Sequence, residues 1–514
     1  MRLAHSYLLV CALTVVGLAL RFWRLGEMPL FGDEAYYLLW ADHLALSYFD
    51  HPAGIAFLLK LSTLLGGASE FGVRWLNALL SAACVPLSYA VGRRYVSPQG
   101  GLIAAAAVAL GPVYVITGRV AYPDSLHNFL LLVSLSIAGP LLAGARGNPK
   151  ISTRRWIAFG LALAFLLNVK LTTGFFGIAV ALYVLARRRD LLAARGLWLA
   201  AGFGLLGAAP ILIWNAGHDW GMLRLTIQQG ANYGLPAPAL PAAWLHAIRY
   251  LTPPVALLAV IAAARLARSR LMAVSKWRKL ATCATGDGSL FLPIAAACTL
   301  LPILLSAANS PRNLGFGLLL LWPLAGSGRA SANAPAGHRG KLRIADWAVA
   351  ACLAGSAIYA AGTTAALLGP AAWPRSSGAS AIRADAAGWP ALAREDIFPE
   401  GVPLFAVDYS IAGQISYYTG RPVYSAAGQF RAWGIPETDR LVVLSQGFVP
   451  EELVKAQLQA GFSLVEGPKR RFFNQNDFTK ELRIWTVQRR RAAIAEIVTS
   501  LDYLTLAMRA AQGR

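Results

Sequence analysis

Leu30-Phe31-Gly32-Asp33-Glu34-Ala35-Tyr36-Tyr37 comes soon after the first apolar segment of this 514-residue chain. Two carboxylates beside the mouth of a membrane span are costly to place unless a site uses them. The surroundings support reading the stretch as such a mouth. The chain is 56% hydrophobic and 14% charged, with mean hydropathy +0.50, whereas soluble domains carry about 25% charged residues. These values describe a polytopic α-helical membrane protein. The run from Arg2 to Leu20 resembles a signal peptide but lacks a convincing small-residue cleavage site, so it reads as an uncleaved, short first span.

A span needs about 20 apolar residues, fewer when neighbours help. Apolar stretches at 7–21, 75–92, 101–118, 125–143, 156–169, 171–186, 197–214, 247–265, 289–308, 313–328 and 346–368 predict about eleven transmembrane helices. Basic clusters follow every even-numbered span: Arg93-Arg94, Arg146 to Arg155, Arg187-Arg188-Arg189, Arg265 to Lys279 and Arg329 to Arg343. The positive-inside rule makes those loops and the N-terminus cytoplasmic. It places the loop 22–74, the loop 119–124, the turn at Lys170, residues 215–246, residues 309–312 and everything after 369 outside. A single span over 156–186 would invert the downstream pattern, which favours two. The net charge of +22 is thereby read as topology, not as affinity for nucleic acid.

The chain changes character after residue 368. Val402 to Asp408, Leu441 to Ser445 and Leu482 to Gln488 read as strands. Tyr409 to Gly420 and Pro450 to Gly461 read as helices ending on glycine. Alternating elements predict a small periplasmic α/β domain over 369–488, after a membrane domain over 1–368. Residues 489–514 form a basic amphipathic tail, read equally as a membrane-surface helix or as a solvated segment. A Gly-Ala-Ser-rich stretch at 325–340 reads as a flexible cytoplasmic linker. Cys11, Cys84, Cys298 and Cys352 lie in apolar segments and Cys283 follows a basic loop, so no disulfide framework or cysteine-held metal is expected.

Further motifs share the outward side. They are Ser47-Tyr48-Phe49-Asp50-His51-Pro52, Gly118-Arg119-Val120-Ala121-Tyr122-Pro123-Asp124-Ser125, Asn168-Val169-Lys170-Leu171-Thr172-Thr173-Gly174, and Asn309-Ser310-Pro311-Arg312-Asn313. With Asp33-Glu34 at their head, they resemble the outward loops of GT-C membrane glycosyltransferases. The likeness is nearest to the protein O-mannosyltransferase and aminoarabinose-lipid A transferase families. It covers the first 175 residues well and the remainder mainly by topology. It implies a GT-C fold and inverting transfer of one sugar from a polyprenyl-phosphate donor to an extracytoplasmic acceptor.

The resemblance implies roles for residues. Asp33 is the general base that takes the acceptor proton, with Glu34 as its catalytic helper. Plainer alternatives are a helix cap for Asp33 and first-turn charge for Glu34. Arg119, Lys170 and Arg312 would hold the donor phosphate, arginine through its bidentate fork. Lys170 reads alternatively as a lysine snorkelling at a span end. Tyr48, Asp50, His51 and Asp124 would position substrate, with capping open for Asp124 and a structural role open for His51. The relatives' Tyr-Phe-Glu-Lys-Pro-Pro run is Tyr48-Phe49-Asp50-His51-Pro52-Ala53 here, and histidine is a less constant cation than lysine. The Tyr409–Trp433 segment also resembles relatives; ordinary packing is the preferred reading.

No cofactor is required. A divalent cation is compatible with the motifs, since Asp33, Asp50 and His51 could supply oxygen and nitrogen ligands. The expected partners are a polyprenyl-linked sugar, the bilayer, and a lipid A, lipopolysaccharide or other envelope glycan or lipid acceptor. Protein hydroxyls, as for a protein O-mannosyltransferase, are the alternative acceptor. The location is a bacterial inner membrane. A lipid flippase or transporter is the rival from another class, but it would place charges mid-span and show repeated halves.

Overall fold

The computed structural model describes residues 3–142, 152–232, 252–274, 290–304, 311–326, 344–368 and, with short breaks, 378–490, plus a few isolated positions. Helix α1 spans Leu3–Phe22. Two helices then fold within the first loop: α2, Gly32–Asp42, and α3, Gly54–Gly66. The sequence reading had no counterpart for α3, whose 13 residues are too few for a span.

α4 is Glu70–Tyr95, α5 Pro98–Leu110, α6 Pro112–Arg119 and α7 Pro123–Leu142. α5 and α6 form one apolar path bent by 51°. Pro112 causes the bend, since it has no N–H for the Val108 carbonyl and keeps Gly111 extended (ψ 121°). Arg21 takes the freed oxygens, donating at 2.9 Å to Val108 and 3.4 Å to Ala109. Asn77 donates to the carbonyls of Thr117, Gly118 and Val120, which fixes the turn leading to α7.

α8, Thr153–Leu167, and α9, Thr173–Arg187, are separate helices on either side of Lys170. α10, Arg195–Leu206, α11, Ala209–Ala216, and α12, Gly221–Asn232, follow. Next come α13, Pro253–Val274, α14, Phe291–Leu304, α15, Leu314–Leu321, and α16, Ile344–Leu368. A helix falls on each of the eleven apolar stretches. Among the described residues five helical stretches, with α10 and α11 counted as one, are long and apolar enough to cross a membrane, or six if the bent α5–α6 pair is one span, and five apolar helices are shorter.

The C-terminal region holds α17, Gly378–Ala386, α18, Trp389–Leu392, β1, Leu404–Ala406, α19, Tyr409–Thr419, and β2, Val423–Ser425. It continues with α20, Phe430–Trp433, β3, Arg440–Gln446, α21, Glu451–Gly461, β4, Phe462–Gln475, and β5, Phe478–Arg490. The sheet order is β2-β1-β3-β5-β4. β1 is parallel to β2 and β3, whereas β5 is antiparallel to β3 and β4. Leu441 to Leu444 are all buried, as befits an apolar central strand covered on both faces. Gly420 ends α19 in the left-handed conformation (φ 69°). β2 and β4 had no counterpart in the sequence reading. Arg489 and Arg490 do not begin a separate tail, since Arg490 pairs with Phe462 at the end of β5. Apart from Leu501, the remainder of 489–514 lies outside the described residues, as does the linker beyond Gly326.

There are two main cores. One joins the long helices, from Val10 and Val85 to Leu320 and Cys352. The other is shared by the first loop and the C-terminal region: Leu30, Tyr36, Trp40 and Ile55 lie in one cluster with Trp389, Ile411, Ile415 and Phe430.

Candidate active site

The first turn of α2 separates its two acids. Glu34 is completely buried and meets Arg74 of α4 through two bonds of 2.7 and 2.6 Å. It also accepts from the backbone N–H of Phe31 at 3.0 Å and of Ala121 at 2.8 Å. Arg74 spends its other donors on the carbonyls of Leu25, Met28 and Pro29. The Glu34 carboxylate is saturated by protein, so it anchors α2 to α4 and to the α6–α7 turn. The catalytic role expected of it finds no facing space.

Asp33 points to the other side. Its Oδ2 lies 3.2 Å from Arg312 Nη1, and its Oδ1 accepts from the Tyr409 hydroxyl at 3.1 Å. Arg312, in the 3-10 turn Pro311–Asn313, lies over the Tyr122 ring at 4.1 Å. The next residue, Asn313, accepts from Lys170 Nζ at 2.9 Å, and Asp124 accepts from the same ammonium at 2.8 Å. Arg312 is within electrostatic reach of Asp33, Tyr37 and Asp124. Four separate segments thus bring Asp33, Asp124, Lys170 and Arg312 into one cluster. Arg312 Nε and Asp124 Oδ2 are buried without a hydrogen-bond partner among the described residues. Buried polar atoms are normally satisfied, so such atoms mark a place where a polar ligand can bind.

Asp50 and His51 border this cluster. Asp50 accepts from the Tyr36 hydroxyl at 2.6 Å, and the Tyr36 oxygen accepts from Gln429 N–H. Burial first, then the Lys170 and Arg312 charges, lower the His51 imidazole from 6.5 to about 3. His51 is therefore neutral and is not the cation found at that place in the relatives' motif. Two expected residues lie elsewhere. Arg119 Nη1 donates to the carbonyls of Leu20, Arg21 and Trp23, so it satisfies the C-terminus of α1 and does not join the cluster. Tyr48 is fully buried, stacks on Trp40 at 4.3 Å, accepts from Ala45 N–H and donates to the Trp40 carbonyl. It shapes the first loop and does not face substrate. Among the described residues Asp33, Asp50 and His51 do not form a group that could hold a metal ion.

The C-terminal region forms one wall. Gly413 of α19 packs so near α2 that a Cβ there would lie 2.7 Å from Tyr36 N. Asp385 accepts from Gly32 N–H at 2.8 Å and from Gln414 at 3.0 Å. Phe49 N–H donates to Gln429 at 2.9 Å, and Tyr409 lies 4.6 Å from Tyr36 ring to ring. Tyr409 and Asn313 were not among the expected site residues. Asn313 adjoins Arg312 and could have been included by proximity. No local signal in the sequence links Tyr409 to Asp33.

Residues 50–214 match the family model "Dolichyl-phosphate-mannose-protein mannosyltransferase". A lipid A galacturonosyltransferase, RgtD, of Rhizobium johnstonii is 26% identical over 265 residues, covering 46% of this chain and 53% of that protein. The chain thus spans about half the length of this curated relative. The fold is similar to that of ArnT from Cupriavidus metallidurans in the apo state, with TM-score 0.54, 14% identity, and coverage of 98% of this chain and 99% of that one. ArnT bound to undecaprenyl phosphate gives TM-score 0.51 at 14% identity, with 94% and 98% covered. The chain is thus similar over residues 50–214 to the dolichyl-phosphate-mannose-protein mannosyltransferase family, and similar in fold to ArnT over nearly its whole length.

Proposed function

We propose that the chain transfers a single sugar, with inversion, from a polyprenyl-phosphate donor to an acceptor on the outer side of the bacterial inner membrane. The observation that carries this reading is the meeting of one carboxylate, Asp33, with Arg312, and of Lys170 with Asp124, from separate loops. Asp33 takes the proton of the acceptor hydroxyl. The acceptor oxygen forms a bond to the anomeric carbon while the bond from that carbon to the phosphate oxygen breaks. The polyprenyl phosphate leaves with the charge that Arg312 and Lys170 face. Asp124 and Asn313 hold the Lys170 ammonium in place. Asp50 shapes the acceptor side through Tyr36, and neutral His51 offers a hydrogen bond without a charge. This scheme requires no metal ion.

The similarity to RgtD favours lipid A or another envelope lipid or glycan as acceptor. A protein hydroxyl is the second reading, supported by the name of the family model that residues 50–214 match. The N-terminus is assigned to the cytoplasm, and the sheet region to the periplasm where it abuts the outward loops. Mass spectrometry of envelope lipids, glycans and proteins from a deletion strain tests all of this. One species should lose a single sugar mass, wild type should restore it, and Asp33→Asn should not. Full restoration by Asp33→Asn at normal protein level would end the base assignment. Trapping of polyprenyl-linked sugar inside the cell would favour a flippase instead.

A further inference from the structure

We propose that Tyr409 is a positioning residue for Asp33, supplied by the C-terminal region, and that its hydroxyl holds Oδ1 in the ionised, outward-aimed state that receives the acceptor proton. The inference rests on the assignment of Asp33 as base. The two carboxylate oxygens have different partners. Oδ2 faces the Arg312 guanidinium, a charge that the donor phosphate also needs, while Oδ1 accepts from a neutral phenol at 3.1 Å. Hydrogen bonds to the charged form of an acid favour that form. A neutral donor on Oδ1 leaves further lone pairs for a second hydroxyl, whereas a second cation would quench the base.

The placement of Tyr409 is rigid. Asp408 caps α19 by accepting from Ser410 N–H at 2.8 Å, which fixes the residue between them. The ring packs on Tyr36 at 4.6 Å, and the close approach at Gly413 sets the spacing of the two helices. Several ionisable groups face this pair. They are Arg312 from its 3-10 turn, Tyr37 from α2, Asp50 from the first loop, Asp408 before α19 and Asp385 from α17. Asp33 first, then burial and the neighbouring acids and Tyr37, push the Tyr409 phenol well above its ordinary range. It therefore remains a protonated donor throughout the working pH range.

The test uses full-length protein in proteoliposomes. The donor is the polyprenyl-phosphate lipid fraction of the wild-type strain, and the acceptor is the envelope extract of the deletion strain. Mass spectrometry reads initial rates across both pH limbs. Tyr409→Phe should move the acid limb upward by about one to two pH units, with the rate recovering toward the wild-type plateau at higher pH. 3-Fluorotyrosine at 409, a stronger donor of nearly equal size, should move the limb downward without disturbing the fold. Tyr417→Phe, which removes a bond from the same helix to the Ala68 carbonyl, should leave the limb in place. Opposite shifts for the first two variants and none for the third support the proposal. A uniform loss of rate at every pH, or equal shifts for Tyr409→Phe and Tyr417→Phe, overturns it. Asp33→Asn runs in parallel: if it stays active, the base assignment itself fails, and if it is inactive while the Tyr409 variants leave the limb unmoved, only the role of Tyr409 fails.

Discussion

Asp33 and Glu34 are adjacent residues at the head of α2, yet they meet their arginines in opposite ways. The Glu34–Arg74 pair is 0% exposed on both sides, with every carboxylate contact made by protein. The Asp33–Arg312 pair keeps 15% and 18% of its side chains exposed, and Arg312 retains an unfilled Nε. A buried pair with all its hydrogen bonds made resists separation but has nothing left to offer a ligand. The pair left partly open can exchange its partners. On the proposed reading of Asp33 as base, what separates the two carboxylates is how many bonds the protein has already formed to each.

The sharpest way to break this comparison is to remove one member of the closed pair. Arg74→Ala strands a buried carboxylate, and loss of one partner costs about 3–5 kcal/mol. The expected outcome is loss of folded protein, read as membrane abundance and melting in detergent. A fully folded but inactive Arg74→Ala protein would contradict the assignment of the two roles. Asp33→Asn should do the reverse: melting changes little while turnover drops about 10²–10⁴-fold, the usual range for a general base.

A smaller effect is expected where the C-terminal wall meets α2. Gly413→Val inserts side-chain atoms where a Cβ already lies 2.7 Å from backbone, and overpacking costs about 1–3 kcal/mol. Activity should fall more than melting temperature, because Tyr409 moves with α19. The smallest effect concerns His51. Its folded-state value near 3 lies below the ordinary 6.5, through burial first and then the Lys170 and Arg312 charges. The unfolded chain therefore binds a proton that the folded chain does not, and stability is lost as pH falls through 6.5 toward 3. His51→Asn should flatten that part of the curve of melting temperature against pH.

Much of the candidate site could be read from sequence because it lies in short loops between strong apolar runs. Once topology brings loop ends together, Asp33, Asp124, Lys170 and Arg312 have little room to be apart. Arg119 and Tyr48 sit in equally recognisable motifs, but a motif gives a loop and not the direction of a side chain. Arg119 ends α6 only five residues before Asp124, yet its guanidinium goes to the end of α1. α3 was hidden because its 13 largely apolar residues, interrupted by Lys60, match neither a span nor a typical soluble helix. β2 has three residues and β4 begins where α21 ends, so neither shows a turn signal. Tyr409 illustrates the hardest case, a contact made across 376 residues.

That separation also has a consequence in time. Asp33 leaves the ribosome 376 residues ahead of Tyr409, at the start of the helix that packs against it. At about 5–20 residues per second, roughly 20 to 75 s pass between the two. During that interval the membrane helices can insert and pair, while the first loop has no wall to pack against. A nascent chain lodged in the membrane would therefore carry Asp33 without its Tyr409 partner until α19 has been made.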